Sequence, residues 1–414
     1  MRTDLESRLR DRLTEAGYLF PDYGGYCFAS VPGTVRSVLG DDGGQPLPAD
    51  VLAGLDDEYD RVLVVLVDGF GLAFWKRHRG QALVDRLADR GTVTPLTSVY
   101  PSETAAALTT VHTGRLPASH GLLGWDVYDP VDDASYEAFT GTVKAGDESV
   151  AHDLQDVFEG DPIYPSLERV GIDCRHVVPF PETYDGATCH SYGPDESLDG
   201  FEPTLQEAFD AADDPAYLFA YLPQIDTAAH GYGTDSDEYR ATVDDVFETI
   251  DRALAGLDAD AAGDTLVVLT ADHGHVDTDA DRNVDLETID GVVAALDRHG
   301  NGDPVRYAGS PRNVHLHLRD GRVDDVRSIL DDRLDARVFT QEDVVDRDLF
   351  GGGPRSETFE RRLGDLVVVH RDSGVWYGSD QSKLDLIGMH GGLHPDEMLV
   401  PFAAIDLEAL LARR

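Results

Sequence analysis

The sequence predicts an α/β fold: a doubly wound, mostly parallel sheet sandwiched by helices, with a small α+β insert. Three observations carry this. The run Arg61–Val67, "RVLVVLV", is continuously apolar, as strands buried on both faces of a parallel sheet are. Two more runs, "AYLFAYLP" at 216–223 and "TLVVLTAD" at 265–272, repeat the pattern, and all three lead straight into charged or His-bearing residues. Stretches of helical periodicity separate them, and strand–helix alternation implies crossover helices on a parallel sheet.

In chain order, residues 1–60 form an N-terminal lead-in that opens with an amphipathic helix (Leu5, Leu9, Leu13) and continues through "PDYGGYCFAS" and "GDDGGQPLPAD". After the strand ending at Asp68, a helix is expected over Leu72–Leu87, then the strand "TVTPLTSVY", then a helix from about Ser102 to Thr113. The strand "CRHVVPF" and a long helix from Ser236 to Leu257 follow. From 278 to 362 the pattern changes to helix "LETIDGVVAAL", strand "NVHLHLR", helix "DDVRSILDDRL" and strand "ARVFT", read as the α+β insert. The strands "LGDLVVVHRD" and "SGVWYG" are expected to rejoin a catalytic domain made of 1–277 and 363–414.

Composition narrows the function. With 79 acidic against 34 basic residues the formal charge is −45, and only Lys76, Lys144 and Lys383 are lysine. Such a field repels nucleic acid and anionic membranes, so neither is an expected partner. The acid is spread along the chain, which reads as a solvated surface adapted to high salt, and 41% hydrophobic residues argue against disorder. Cys27, Cys174 and Cys189 are widely spaced without a C-x-x-C pattern, and the longest aliphatic run, Val62–Val67, is too short to span a bilayer. A cytoplasmic protein is the expectation.

Four segments at strand ends supply metal-capable side chains: Asp68; Asp226 and His230 in "DTAAH"; Asp272 and His273 in "ADHGH"; His390 in "MHGGLH". Three Asp and three His suit two divalent ions, with zinc favoured by the donor set and manganese as the alternative. Asp226 and His230, four apart, share one face if helical. An aspartate and an imidazole adjacent at a buried strand end need a partner, and a metal supplies it. His275 is expected to be exposed, and His120 and His394 to be structural.

"PSETAAALTT" at 101–110 places hydroxyls at the head of a helix, where free backbone N–H groups can receive an anion. Ser102 is the expected N-cap.

The segments "LVDGFG", "PSETAAALTTVHTGRLPASHG", "DTAAHG", "TADHGH" and "MHGGLHPDEMLVPF", in this order, resemble the alkaline phosphatase superfamily, most closely its type I phosphodiesterase/nucleotide pyrophosphatase branch. The likeness covers about residues 60–275 and 365–402. It implies an alkaline phosphatase-like fold and a two-metal phosphohydrolase acting on a small phosphorylated, nucleotide-type substrate. It implies Thr104 as nucleophile, with one ion held by Asp226, His230 and His390 and the other by Asp68, Thr104, Asp272 and His273. Coordination would make the threonine hydroxyl a usable nucleophile, and a phospho-threonine intermediate would follow.

One departure stands out. The branch carries an asparagine shortly after "SHG" that binds a phosphoryl oxygen, and here Trp125 and Asp126 occupy that neighbourhood. Trp125 is a candidate to stack on a substrate ring, with packing as the plainer alternative. A phosphomonoesterase or phosphonate hydrolase on the same fold, and a metal-binding sensor without turnover, are the competing functions. A sulfatase is disfavoured because the C/S-x-P-x-R pattern is missing around residue 104. A phosphoglycerate mutase is disfavoured because the nucleophile segment carries Thr and no large insert follows it.

Overall fold

The computed structural model describes residues 1–150, 156–181, 184–193, 197–257 and 264–412. Among them, two seven-stranded sheets dominate. The first contains β1 (Arg61–Val67), β2 (Thr92–Thr97), β3 (Asp173–Val178), β4 (Thr188–Ser191), β5 (Ala216–Leu222), β6 (Thr265–Thr270) and β7 (Leu399–Asp406), in the order β2-β7-β6-β1-β5-β3-β4. All run parallel except β7, which lies antiparallel between β2 and β6. Every residue of β5 and β6 is buried, and all of β1 beyond its first, as their unbroken apolar runs require.

Register sets the site. Val67 pairs with Leu222 and Leu66 with Thr270, so the carboxyl ends of the three central strands are level. Asp68, just past β1, donates its backbone N–H to Leu222 at the end of β5. Ligands of open α/β sheets gather at this edge. Helix α1 (Thr104–Thr113), wholly buried, follows β2; helix α2 (Gln224–Tyr232) follows β5 after a single proline; the amphipathic α3 (Asp237–Ala255) then covers the sheet.

The second sheet is antiparallel throughout. Its strands, in order, are Ala336–Thr340, Leu366–His370, Asn313–Leu316, Gly309–Ser310, Asp126–Asp129, Ala134–Glu137 and Val143–Gly146. The strand Leu366–His370, expected in the main sheet, pairs instead with Ala336–Thr340 and Asn313–Leu316. The small α+β unit expected over 278–362 therefore draws three strands from 126–146 and one from 366–370. A single strand's apolarity cannot announce which sheet it joins. "SGVWYG" yields only the two-residue Val375–Trp376, paired with Val284–Asp285. Alternation along the sheet explains its two coverings: Leu366 and Val368 face a cluster with Trp376, while Val367 and Val369 face Tyr100, Leu393, Met398 and Leu399 of the main domain.

Two expected helices are broken. Leu72–Leu87 becomes Leu72–Arg77 and Ala82–Arg90, interrupted at Gly80 (φ 117°), with Gln81 capping the second piece through the amides of Leu83 and Val84. "LETIDGVVAAL" becomes a 3-10 turn at Leu286–Thr288 and the short helix Val292–Ala295, separated by Gly291 (φ 94°). Positive φ is open to glycine and ends helical hydrogen bonding.

Candidate active site

Thr104 is the first residue of α1 and is buried. Its hydroxyl lies 3.4 Å from Asp68 Oδ1, 3.5 Å from Asp68 Oδ2 and 3.1 Å from His273 Nε2. The other threonines of the helix turn inward: Thr109 donates to the Ala105 carbonyl and Thr110 to that of Ala106. Ser102 is not the cap expected for it. Glu103 holds the N-cap position with no side-chain cap bond, and the Ser102 hydroxyl donates to the Gly392 carbonyl at 2.8 Å. The helix is packed against the His390 loop, so the serine ties that loop down while the helix N-terminus is left uncapped.

The seven side chains singled out by their motifs converge. Asp226 Oδ2 is 3.2 Å from His230 Nε2, which is 3.3 Å from His390 Nε2; Asp226 Oδ1 is 3.5 Å from His390 Nε2. On the other side, His273 Nε2 is 3.2 Å from Asp68 Oδ1 and 3.5 Å from Asp272 Oδ2. Asp272 Oδ1 is pinned by the amides of Gly69 and His273, and Tyr221 donates to Asp68.

His275 is buried, not exposed as expected. Its Nε2 is 2.9 Å from Asp226 Oδ1 and its Nδ1 is 3.2 Å from the Gly69 carbonyl. A histidine three residues past a strand-end aspartate follows the turn back over the sheet edge, which local pattern alone does not reveal.

The tautomers test whether these residues fit a metal. His230, His273, His275 and His390 each set Nδ1 against a backbone carbonyl, of Gly388, Gly274, Gly69 and Ser102 respectively. A carbonyl only accepts, so each Nδ1 carries a proton and each ring turns its Nε2 inward. Nε2 of His230 and Nε2 of His390 then face each other at 3.3 Å, and Nε2 of His275 lies 2.9 Å from Asp226 Oδ1. Shared cations resolve such an arrangement, and carbonyl-fixed imidazoles are how proteins orient metal ligands. Asp272 Oδ2, buried without a hydrogen bond, is a further free donor. The donor atoms of Asp226, His273, His275 and His390 lie within 4.8 Å of one another, as do those of Asp68, Asp272 and His273. The His/Asp cluster can therefore bind metal.

The electrostatics agree. Burial, and then the neighbouring Asp226 charge, pushes the Asp68 carboxyl well above its usual range; burial and Asp68 do the same to Asp272. Asp226 is held well below that range: burial would raise it, but the imidazoles of His230, His275 and His390 outweigh burial.

Trp125 lies outside this cluster. It is half-buried, 5.6 Å edge-on from Phe139, with the Lys383 ammonium 5.3 Å from its ring centroid. His120 bonds Thr110 and the Leu122 amide, and His394 caps the helix Pro395–Met398. Arg312, just ahead of the strand Asn313–Leu316, is fully buried against Glu397. The role of this pair in holding the His390 loop had no signal in local spacing, because its members are 85 residues apart.

A mainly parallel sheet whose carboxyl edge gathers Asp and His around a helix-borne threonine is the alkaline phosphatase-like α/β fold. Mouse ectonucleotide pyrophosphatase/phosphodiesterase 5 superposes with a TM-score of 0.64 at 20% identity, covering 83% of this chain and 87% of that one. An inactive threonine-to-alanine variant of the mouse protein in complex with AMP also has a TM-score of 0.64 at 20% identity, covering 84% and 88%. The human counterpart has the same TM-score at 19% identity, covering 83% and 87%. In sequence, an uncharacterised pyrophosphatase/phosphodiesterase of Schizosaccharomyces pombe is 26% identical over 301 residues, which is 69% of this chain but 59% of that protein. Residues 62–393 match the family described as type I phosphodiesterase / nucleotide pyrophosphatase. The chain belongs to that family.

Proposed function

We propose that the protein is a two-metal phosphohydrolase that cleaves phosphodiester or pyrophosphate bonds of nucleotide-type substrates, with Thr104 as nucleophile. The observation that carries this reading is the position of the Thr104 hydroxyl, at the uncapped head of a buried helix and within 3.5 Å of both Asp68 and His273. The mouse neighbour, inactive as its threonine-to-alanine form and bound to AMP, supports both the nucleophile type and the substrate class.

Asp226, His230 and His390 would hold one ion and Asp68, Thr104, Asp272 and His273 the other. Bound there, divalent ions lower the pKa of a coordinated hydroxyl and neutralise charge on a departing oxygen. The chain's own residues do the rest. Asp68 accepts the hydrogen bond of the Thr104 hydroxyl and stands where its proton leaves. Oγ1 attacks phosphorus, the bond to the leaving oxygen breaks, and phospho-threonine forms; water then hydrolyses it and returns the threonine. The amides of the first turn of α1 receive the non-bridging oxygens. Membrane insertion is not part of this reading, since no described helix is long and apolar enough to cross a membrane.

Two expected results test the metal arm. Chelation abolishes hydrolysis of nucleoside triphosphates and aryl diesters, and restoring zinc or manganese recovers it; undiminished turnover in metal-free protein would sink the two-metal reading. Replacing His275 by Ala removes the hydrogen-bond partner of Asp226 and weakens metal binding by about 10–100-fold, the usual cost of losing a group that orients a ligand. Metal titration followed by calorimetry reads this directly, and an unchanged isotherm would relegate His275 to packing. Assays belong in high salt, where the Debye length is about 3 Å at 1 M and the acidic surface no longer repels an anionic substrate.

A further inference from the structure

His275 stands outside the two ligand sets named above, yet it is placed as their histidines are. It follows Asp272 and His273 on the turn after β6, and its side chain is buried. Nε2 lies 2.9 Å from Asp226 Oδ1, the oxygen that is also 3.5 Å from His390 Nε2. Nδ1 lies 3.2 Å from the Gly69 carbonyl, the same backbone anchoring that turns Nε2 of His230, His273 and His390 toward the carboxylates. Histidines that bind metal are characteristically fixed in this way through the second ring nitrogen.

The backbone makes room for this ring. Gly69, directly after Asp68, has φ 71°, and a Cβ there would come 2.3 Å from His275 Cε1. A side chain at that position would displace the imidazole from Asp226. One ligand atom from each of Asp226, His273, His275 and His390 falls within 4.8 Å of the others. Ligands about 2.0–2.2 Å from one tetrahedral ion stand roughly 3.3–3.6 Å apart. The contacts of 3.2, 3.3 and 3.5 Å among Asp226, His230 and His390 match that spacing. His275 Nε2, at hydrogen-bond distance from Asp226, needs only a small retreat to join them.

We propose that His275 is itself a ligand of the ion at Asp226, which then takes three imidazoles, of His230, His275 and His390, with one carboxylate. The ion at Asp68 takes one imidazole, of His273, with the carboxylates of Asp68 and Asp272 and the Thr104 hydroxyl. Imidazole suits zinc, whereas carboxylate suits manganese and magnesium. The two sites are therefore unlike: the Asp226 site selects zinc and holds it, and the Asp68 site exchanges its ion. Metal binding displaces any proton on His275 Nε2 into solvent. The inference rests on the two-metal reading above.

The test counts imidazoles and needs no turnover. In protein loaded with NMR-active cadmium and isotope-labelled histidine, one-bond scalar coupling requires a metal–nitrogen bond. Two cadmium signals are expected, one coupled to Nε2 of three histidines, His275 among them, and one coupled to His273 alone. His275→Gln, whose amide can still donate to Asp226, reduces the three couplings to two and shifts that cadmium signal while leaving the other in place. In wild type one zinc per chain is retained against excess manganese, and in both His275→Gln and His275→Ala that retention falls at least about tenfold. Coupling to only two histidines at the Asp226 site in wild type would overturn the assignment and leave His275 orienting Asp226 by a hydrogen bond. So would a His275→Gln protein with the wild-type cadmium shift and zinc retention. Either result spares the two-metal reading, which fails instead if no cadmium couples to any histidine.

Discussion

Thr104→Ala is expected to lower kcat for every phosphoester substrate by at least about 10³-fold, since losing the nucleophile of a covalent mechanism removes the step itself and leaves only binding and electrostatic assistance. Stability should hardly change. The side chain is small, its hydroxyl faces Asp68 and His273 rather than a helix carbonyl, and the helix is secured by the back-bonds of Thr109, Thr110 and Thr113. Rapid-quench analysis with a radiolabelled substrate should find phosphate attached to residue 104 in wild type and none in the variant. Label on another residue, or turnover within tenfold of wild type, would displace Thr104 from the mechanism.

The second large effect is on stability. Arg312→Ala is expected to cost about 3–5 kcal/mol, the range for removing one partner of a buried ion pair. Arg312 donates through Nε and Nη2 to the two oxygens of Glu397, at 2.9 and 2.8 Å, and through Nη1 and Nη2 to the carbonyls of Ser373 and Arg371. Glu397 also accepts from the amides of Gly392 and His394, and its own carbonyl receives the Gly274 amide. The clamp therefore joins the second sheet, the loop after His390 and the turn carrying Asp272 and His273. Burial would raise the Glu397 carboxyl, but Arg312 holds it below its usual range. Guanidinium unfolding should show the midpoint falling in Arg312→Ala. A paired Arg312→Met, Glu397→Leu change should recover part of the loss and no more, because the amides of Gly392 and His394 would lose their acceptor. If Arg312→Ala unfolds at the wild-type midpoint, the clamp is not a stabilising element.

Much of the site was legible because its chemistry sits at strand ends. "RVLVVLVD", "AYLFAYLP" and "TLVVLTAD" are apolar enough to be buried strands wherever they pack, and a polar residue at the end of such a run emerges at one sheet edge. Asp226 and His230 share a face because four residues make about one helical turn. What stayed hidden depends on partners far along the chain. His275 reads as an exposed histidine until the turn after β6 folds it onto Gly69 and Asp226, about 200 and 49 residues away. Ser102 has the chemistry of a cap, yet Gly392, 290 residues on, claims its hydroxyl.

The sequence by itself determined the parallel-sheet class, the family and the identity of seven convergent side chains, because burial pattern and short spacings are local properties that survive without coordinates. Only the tertiary structure decided that residues 126–146 and 366–370 share one antiparallel sheet, that Arg312 and Glu397 brace the His390 loop, and that Lys383 rests on Trp125. Strand pairing, ion pairing and ring contact all join residues whose separation in the chain carries no periodic signal, and they are chosen by which surfaces the completed core brings together.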